Sequence, residues 1–266
     1  MLTDEFTRLL ETAEGVEKKT PKDKKHLLEC VIQKCKNNLA KKDASTVEAS
    51  QEYAKAVLDY TFIDESILVD GSFPKDSWKP RIHSIFNDID GIENAVKTLK
   101  AEKGNIEVVD VLGPDIVECM LWRKGALMYM YCATIQEEHK DRIKEDPQCY
   151  AEQIECGIEN LQKMLSIRHP HEVQKDGKER DVETLFSLGI YSDTHLLAMM
   201  YASELCYWHS QLKKDHQFNC SSTLDEKQIG AKYLQDYIKA VKGPLSVQGW
   251  SSERAEQLLD YFCKQT

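Results

Sequence analysis

Three titratable residues in apolar surroundings are the first candidates for chemistry. Arg123 lies inside one long apolar stretch, and Asp193 and His195 lie at the start of another. A carboxylate, an imidazole and a guanidinium in one helical pocket could carry out acid–base catalysis. The same residues could instead form a buried ion pair between two helices, with Asp193 stabilised at a helix N-terminus. Because nothing completes a catalytic set, the ion pair is favoured, and we predict that the chain is not an enzyme.

The segment His169-Pro170-His171-Glu172 is the main candidate for metal binding. Zinc would need one or two further ligands, and no Cys-x-x-Cys sequence is present. Residues 87–91 (Asn-Asp-Ile-Asp-Gly) resemble the middle of a calcium loop, but Phe86 and Lys97 then occupy positions that require acids. We therefore predict a polar loop at 169–172, a solvated turn at 87–91, and neither a metal nor another cofactor.

Aromatic side chains are concentrated in two apolar segments. They are Trp122, Tyr129 and Tyr131 in the first segment and Tyr201, Tyr207 and Trp208 in the second. Helical spacing assigns most of them to the core. Any ring that stays exposed is a candidate hot spot for a protein partner.

Apolar residues at spacings of three and four predict that almost the whole chain is helical. Helix starts are predicted at Thr20-Pro21, Ser45, Gly113-Pro114, Asp146-Pro147, Ser192, Thr223 and Ser251. Residues 106–111 could be extended, but this stretch is too short to indicate a sheet. The pattern predicts an all-α fold of about nine to eleven helices, either a single-domain helical bundle or an irregular antiparallel helical-hairpin array.

Domain organisation follows from the absence of a long linker. Residues 1–266 are predicted to form a single all-helical domain, with flexible polar loops at 168–180 and 213–222. The helix after Ser192 is apolar nearly all round from Leu196 to Trp208, which predicts a central, buried position.

Composition excludes several classes of function. The chain has 35 Lys and Arg against 45 Asp and Glu, a formal net charge of −10, which argues against nucleic-acid binding. The densest apolar stretch, 126–135, is about half the roughly 20 residues that span a bilayer. Nine cysteines without a disulfide framework indicate a reducing compartment, and the first residues do not resemble a signal peptide. We expect a cytoplasmic protein without a transmembrane segment.

One basic run interrupts this acidic composition. It consists of Lys18, Lys19, Lys22, Lys24 and Lys25, with Glu17 and Asp23 beside them. The two carboxylates dilute the positive charge. This favours a solvated helix entrance over a patch that binds a membrane surface.

Three blocks of sequence resemble a known family. The first runs from Val111-Leu112-Gly113-Pro114-Asp115 to Tyr129-Met130-Tyr131-Cys132, and the second from Gly189-Ile190-Tyr191 to Cys206-Tyr207-Trp208. The third is Gly243-Pro244-Leu245 with Trp250. In this order the blocks resemble the Rab-interacting subunit of the Mon–Ccz guanine-nucleotide exchange complex, over the C-terminal two thirds of the chain.

The resemblance implies a non-enzymatic adaptor or regulatory subunit. Members of that family associate with the exchange complex and with the late-endosomal Rab GTPase that the complex activates. They support the stability of the Rab and its recruitment in endolysosomal traffic, autophagy and mitophagy. By the same resemblance we expect a cytoplasmic protein that is recruited to late endosomes, lysosomes or damaged mitochondria, with indirect membrane association.

The residues within these blocks are predicted either to support the fold or to contact the partner. They are Trp122, Arg123, Tyr129, Tyr131, Asp193, His195, Tyr207, Trp208 and Trp250. Two alternatives stay open beside the adaptor. One is a helical scaffold that binds short peptides in a groove between hairpins, and the other is an enzyme with a helical pocket.

Overall fold

A computed structural model of the chain describes residues 2–41, 45–100, 107–168, 192–216 and 224–264. All regular secondary structure in these ranges is helical, with eleven α-helices and one short 3₁₀-helix, which confirms the all-α prediction. None of the helices described is long and apolar enough to cross a membrane. The described residues form two compact units that divide between Met120 and Leu121. The single domain over 1–266 stays a prediction.

The first unit is organised around one long central helix. Its elements are α1 (Leu2–Val16), the 3₁₀-helix (Lys22–Lys24), α2 (Lys25–Ala40), α3 (Thr46–Asp70), α4 (Trp78–Lys100) and α5 (Val108–Leu112). α3 packs against α1, α2, α4 and α5. It buries residues on nearly every side, among them Tyr53, Leu58 and Leu68, as a helix at the centre of a bundle must.

The second unit has its own central helix. α6 (Pro114–Glu138) begins in the first unit and continues into the second. The helices that follow it are α7 (Lys140–Glu145), α8 (Pro147–Ile167), α9 (Asp193–His216), α10 (Glu226–Lys242) and α11 (Glu253–Cys263). α9 packs against α8, α10 and α11, and its residues Leu196, Met199 and Leu205 are buried. This confirms the central position that its all-round apolar sequence predicts.

Side-chain caps account for several helix starts. The Ser45 hydroxyl accepts a hydrogen bond from the Glu48 amide at 3.2 Å, and the Asp146 carboxylate accepts one from the Cys149 amide at 2.9 Å. Both caps follow the sequence pattern. At α10 the cap is Asp225, which accepts from the Gln228 amide at 2.9 Å; the predicted cap, Thr223, lies outside the described residues.

The N-terminal part of the chain departs from the predicted pattern in two ways. The pattern contains no helix before Thr20, yet α1 buries Phe6, Leu9 and Ala13 at the three- and four-residue spacing of a helix. Thr20 does not cap α2, because its hydroxyl donates to the Val16 carbonyl at 3.0 Å and so belongs to the end of α1.

At three further places the structure is helical where the sequence pattern suggests a turn, an extended segment or a loop. Residues 87–91 lie inside α4, so the predicted turn does not exist, and the helix absorbs the cost of Gly91, about 1 kcal/mol. Val108–Leu112 is helical instead of extended. α9 continues to His216, so the start of the predicted loop 213–222 is helical. The remainder of that loop from 217, and residues 169–180, lie outside the described residues.

Two glycines let the helices of the second unit approach closely. A Cβ on Gly125 of α6 would lie 2.6 Å from Leu161 Cγ of α8. A Cβ on Gly157 of α8 would lie 2.7 Å from Leu205 Cδ1 of α9 and 3.0 Å from Met128 Cβ of α6. Since neither position has room for a side chain, α6, α8 and α9 pack at short range around them.

Candidate functional site

Four aromatic rings stack in a row between α6 and α9, and we refer to this row as the aromatic ladder. Its order is Trp122, Tyr201, Tyr129 and Trp208. Successive ring centroids are 5.6, 3.7 and 5.5 Å apart, with interplanar angles of 15°, 5° and 18°. Stacked aromatic pairs contribute about 0.5–1.5 kcal/mol each beyond their buried area. The ladder therefore helps to fix α6 against α9.

Seven-residue spacing on each helix builds the ladder. Trp122 and Tyr129 are seven residues apart on α6, and Tyr201 and Trp208 are seven apart on α9. Seven residues make nearly two helical turns, so each pair lies on one face of its helix. The rings alternate between the helices in the direction of increasing residue number, which means that α6 and α9 run parallel.

The ladder is partly open to solvent. All four rings are of intermediate exposure, and Met130, next to Tyr129 on α6, is 38% exposed. The sequence pattern assigns most of the six aromatic residues to the core. This prediction is wrong, because only Tyr131 is buried and the other five are partly exposed. Rigid, partly exposed Trp and Tyr rings are the side chains most enriched among interface hot spots.

A hydrogen-bonded carboxylate anchors the middle of the ladder. The Tyr129 hydroxyl donates to Glu204 Oε2 at 2.5 Å, and Arg254 Nε donates to Glu204 Oε1 at 2.9 Å. Glu204 thereby links α6, α9 and α11. Burial, followed by the hydrogen bond and the charge of Glu204, raises the pKa of Tyr129, so its phenol stays protonated and keeps donating.

A cavity of about 380 Å³ opens at one end of the ladder. Trp208 belongs to both the ladder and the cavity, and Ile143 and Leu212 extend the apolar lining. Lys140 and Lys144 lie one turn apart on the rim, both exposed, and neither has an ion-pair partner among the described residues. A recess of this size can accept a large apolar side chain or a small ligand.

A buried charged network supports the helix that carries Trp208. The His209 side chain is fully buried, with Nε2 3.1 Å from Glu155 Oε1 and Nδ1 2.5 Å from Glu226 Oε1. Both ring nitrogens therefore lie within hydrogen-bonding distance of a carboxylate oxygen. Burial of Glu226 raises its pKa, but hydrogen bonds from His209 and Lys213 outweigh that effect and lower the pKa to about 2. Because the imidazole is enclosed by α8, α9 and α10, we assign it a structural role.

The residues proposed for acid–base chemistry occupy different environments. His195 is 3% exposed and its Nδ1 lies 2.7 Å from the Ser192 hydroxyl, whereas Asp193 is exposed. Residues two apart on a helix point to different sides, so Asp193 and His195 do not face one pocket. Arg123 is partly buried. The cavity described above is lined by none of the three.

The described residues contain no candidate metal-binding site. The segment 169–172 lies outside the described residues, and the described ranges hold no group of three or more His, Cys, Asp or Glu side chains placed to bind an ion. Burial raises the pKa of Cys35 to about 11, so this thiol behaves as a small apolar side chain.

The other residues of the sequence blocks are distributed between core and surface. Tyr131 is 4% exposed and belongs to the core. Tyr207 is partly exposed, borders the cavity and packs edge-on against Tyr261 with centroids 4.7 Å apart. Trp250 is partly exposed in the segment before α11, outside the ladder.

Three members of the site are absent from the predicted set of site residues. Tyr201 stands in the middle of the ladder, and its seven-residue spacing to Trp208 is the signal that could have identified it. Glu204 and Arg254 carry no such signal. They are 50 residues apart, and only the packing of α9 against α11 brings them together.

Comparison with known proteins identifies the family. Residues 24–263 match the family described as "RAB7A-interacting MON1-CCZ1 complex subunit 1". The chain belongs to this family. Zebrafish and human proteins of that name are 36% identical over 214 residues and 33% identical over 227 residues, and a mouse protein is 31% identical over 229 residues. Each comparison covers 79% of this chain and 76% of the relative.

The RAB7A-interacting MON1-CCZ1 complex subunit 1 family is the one that the three sequence blocks resemble, so this prediction is confirmed. The matched region contains the aromatic ladder, the adjoining cavity and the His209 network. No solved structure matches the chain with significance.

Proposed function

We propose that this protein is a non-enzymatic adaptor that associates with RAB7A and with the MON1–CCZ1 exchange complex. The observation that carries the proposal is the match of residues 24–263 to a family whose name states both interactions. Such a protein needs no reaction chemistry of its own. If it binds one nucleotide state of the GTPase more tightly than the other, it shifts the balance between them by its affinity ratio alone.

In the cell, this adaptor supports the stability of the Rab and its recruitment in endolysosomal traffic, autophagy and mitophagy. It is cytoplasmic and reaches late endosomes, lysosomes or damaged mitochondria mainly through its partners. The family resemblance supports these roles. Loss of the protein should therefore lower the level of RAB7A and its membrane-bound fraction; unchanged levels and distribution would contradict this part of the proposal.

The aromatic ladder and its cavity are the face on which the partner docks. Stacking holds the ladder rings before binding, so little side-chain entropy is lost when a partner covers them. The cavity next to Trp208 provides a recess for an apolar side chain, and Lys140 and Lys144 provide charges at the rim. This combination of a rigid aromatic centre and a polar rim is typical of protein–protein hot spots.

The experiment that tests the function uses the full chain and purified partners. The chain is mixed with RAB7A loaded with GDP, with RAB7A loaded with a GTP analogue, and with the MON1–CCZ1 complex, and co-elution is followed by size-exclusion chromatography. A second Rab, loaded in the same way, is the control for specificity. Co-elution with RAB7A alone indicates direct contact, and co-elution only with MON1–CCZ1 indicates a regulatory subunit. Binding to neither contradicts the proposal and favours a peptide-binding scaffold.

A further inference from the structure

Four exposed lysines lie within eight residues of one another, between the end of α1 and the start of α2. Lys18, Lys19, Lys22 and Lys25 are all exposed, and none has an ion-pair partner among the described residues. The next lysine differs from them. Lys24 is partly buried and lies 3.5 Å from Asp23 and 3.3 Å from Asp70.

This pairing changes how the basic run should be interpreted. In the sequence, Glu17 and Asp23 dilute the positive charge of the lysines. In the structure, Lys24 contacts Asp23, and Glu17 is the remaining exposed carboxylate of the segment. Lys24 also contacts Asp70, so five lysines face three carboxylates and the segment keeps a local net charge of +2, although the whole chain carries a net charge of −10.

Lys18 and Lys19 follow the C-terminus of α1, where cations are favourable, but Lys22 and Lys25 lie at the start of α2. α2 begins at Lys25 with Lys24 before it, no side chain caps the first turn, and no acidic residue lies there. Cations at a helix N-terminus oppose the helix dipole. Farther along α2, Lys34 and Lys36 are paired, with Asp59 and Glu14. Residues that violate a local rule without local compensation are most common where a function requires them.

A partly apolar recess adjoins Lys19. This cavity of about 290 Å³ in the first unit is lined by Lys19, by apolar side chains that include Val16, Leu28 and Ile63, and by the ion pair of Asp64 and Arg81. Of the four lysines, Lys19 alone lines it, so its ammonium group lies beside apolar surface, as a cation does at the boundary of an anionic membrane. There, phosphate groups lie directly above the apolar boundary of the bilayer.

We propose that Lys18, Lys19, Lys22 and Lys25, together the lysine patch, bind the surface of membranes that contain anionic phospholipids. Each lysine near such a surface adds a modest attraction, and clusters of four or more are typical of this recognition. A patch of this size binds such membranes weakly and reversibly on its own, which flotation at low salt detects, and stable attachment requires a second signal. Association with partners supplies that signal. The partners recruit the protein to the membrane, and the lysine patch then strengthens its attachment.

Vesicle flotation of the full chain tests this inference. The vesicles are phosphatidylcholine alone and phosphatidylcholine with phosphatidylserine, at low and at raised salt. The patch variant combines Lys22→Glu with Lys25→Glu. The control variant combines Lys232→Glu with Lys239→Glu, two exposed lysines of α10 that also have no ion-pair partner among the described residues. The control variant changes the net charge of the chain by the same amount as the patch variant.

We expect the wild type and the control variant to float with phosphatidylserine vesicles and not with phosphatidylcholine alone. The patch variant should bind at least about tenfold more weakly, and raised salt should weaken binding of the wild type. The inference is overturned if the wild type does not float, or if both variants lose binding equally. It is also overturned if soluble glycerophosphoserine binds the chain as tightly as the vesicles do, because the ligand would then be a free phosphate compound.

The patch variant also separates this inference from the proposed function. Circular dichroism should show unchanged helicity, since both substituted residues are exposed. Its co-elution with RAB7A or MON1–CCZ1 should equal that of the wild type, because the proposed partner face lies in the second unit. Loss of that co-elution would place the lysines in a protein interface and overturn the membrane inference.

Discussion

The hydroxyl of Tyr129 on α6 lies 2.5 Å from the carboxylate of Glu204 on α9 and donates to it. The same carboxylate accepts a hydrogen bond from Arg254 on α11. One side chain of the central helix thus holds two neighbouring helices, and it does so directly beneath the stacked rings. The aromatic ladder is consequently fixed by hydrogen bonds as well as by stacking, which has a measurable consequence for stability.

Removing only the hydroxyl of Tyr129 should destabilise the protein. Tyr129→Phe keeps the ring in the ladder but leaves Glu204 without this donor, so we expect a loss of about 1–2 kcal/mol in the free energy of unfolding by urea. Tyr201→Phe is the matched control, because the Tyr201 hydroxyl has no hydrogen-bond partner among the described residues. Equal losses in the two variants would show that the bond to Glu204 contributes nothing.

The His209 network should make stability depend on acid pH. The pKa of Glu226 is about 2 in the folded chain against 4.5 for an ordinary glutamate. The carboxylate therefore stabilises the fold fully above about pH 4.5, and this contribution is lost as pH falls toward 2, on the order of 3 kcal/mol in all. When urea unfolding is measured at pH 7 and at acid pH, the free energy of unfolding should fall less for Glu226→Gln than for the wild type.

An exposed carboxylate provides the control for that measurement. Glu253→Gln removes a surface charge of α11 and should leave the pH dependence of the wild type almost unchanged. If Glu226→Gln and the wild type lose stability in parallel between pH 5 and pH 3, Glu226 is not held in its charged form by His209 and Lys213.

The glycine contact between α6, α8 and α9 should not tolerate a methyl group. Gly157→Ala would place its Cβ 2.7 Å from Leu205 Cδ1, so we expect a destabilisation of about 1–3 kcal/mol in thermal or urea unfolding. Gly91→Ala is the control within a helix, because nothing lies within 4 Å of its Cβ. It should raise stability by about 0.5–1 kcal/mol. If Gly157→Ala stabilised the protein as Gly91→Ala does, the close packing at Gly157 would be contradicted.

Apolar periodicity and capping residues predict where most helices of the second unit lie in the sequence. They do not predict which helix faces contact one another, because that depends on tertiary packing. The apolar spacing of α8 and α9 and the cap at Asp146 are sufficient to place those helices. Gly125 and Gly157 allow α6 and α9 to pack closely against α8, and no local pattern shows that these glycines oppose one another. For this reason Trp122 and Trp208 are recognised as candidates, but the stacking of Trp122 on Tyr201 and of Trp208 on Tyr129 is not.

Errors in the first unit have a different physical cause. Gly91 and the polar residues before it predict a turn, but burial of Ile89 and Ile92 on one face outweighs the weak helix propensity of Asn87, Asp88 and Gly91. α1 is absent from the predicted helices because its apolar stripe is short, with Phe6, Leu9 and Ala13 as its buried residues among many charged ones. The family blocks, by contrast, were sufficient to identify the family, since its members share long runs of specific residues.

The partner face should depend on Trp208 more than on an equally accessible tryptophan elsewhere in the second unit. Trp208→Ala removes the residue that joins the ladder to the cavity, while Trp250→Ala removes a partly exposed tryptophan outside the ladder. Lys140→Glu with Lys144→Glu changes only the exposed rim and cannot disturb the core. We expect Trp208→Ala to weaken partner binding by about 2 kcal/mol, roughly thirtyfold, with a smaller loss for the rim variant.

The most direct test of the account is the dissociation constant of the full chain for the partner with which it co-elutes, RAB7A or the MON1–CCZ1 complex. Wild type, Trp208→Ala and Trp250→Ala should be compared by isothermal titration calorimetry, each with its helicity checked by circular dichroism. The account predicts specific binding by the wild type, near-normal binding by Trp250→Ala and roughly thirtyfold weaker binding by Trp208→Ala. Absence of binding by the wild type would contradict the adaptor function, and equal binding by all three would contradict the aromatic ladder as the partner face.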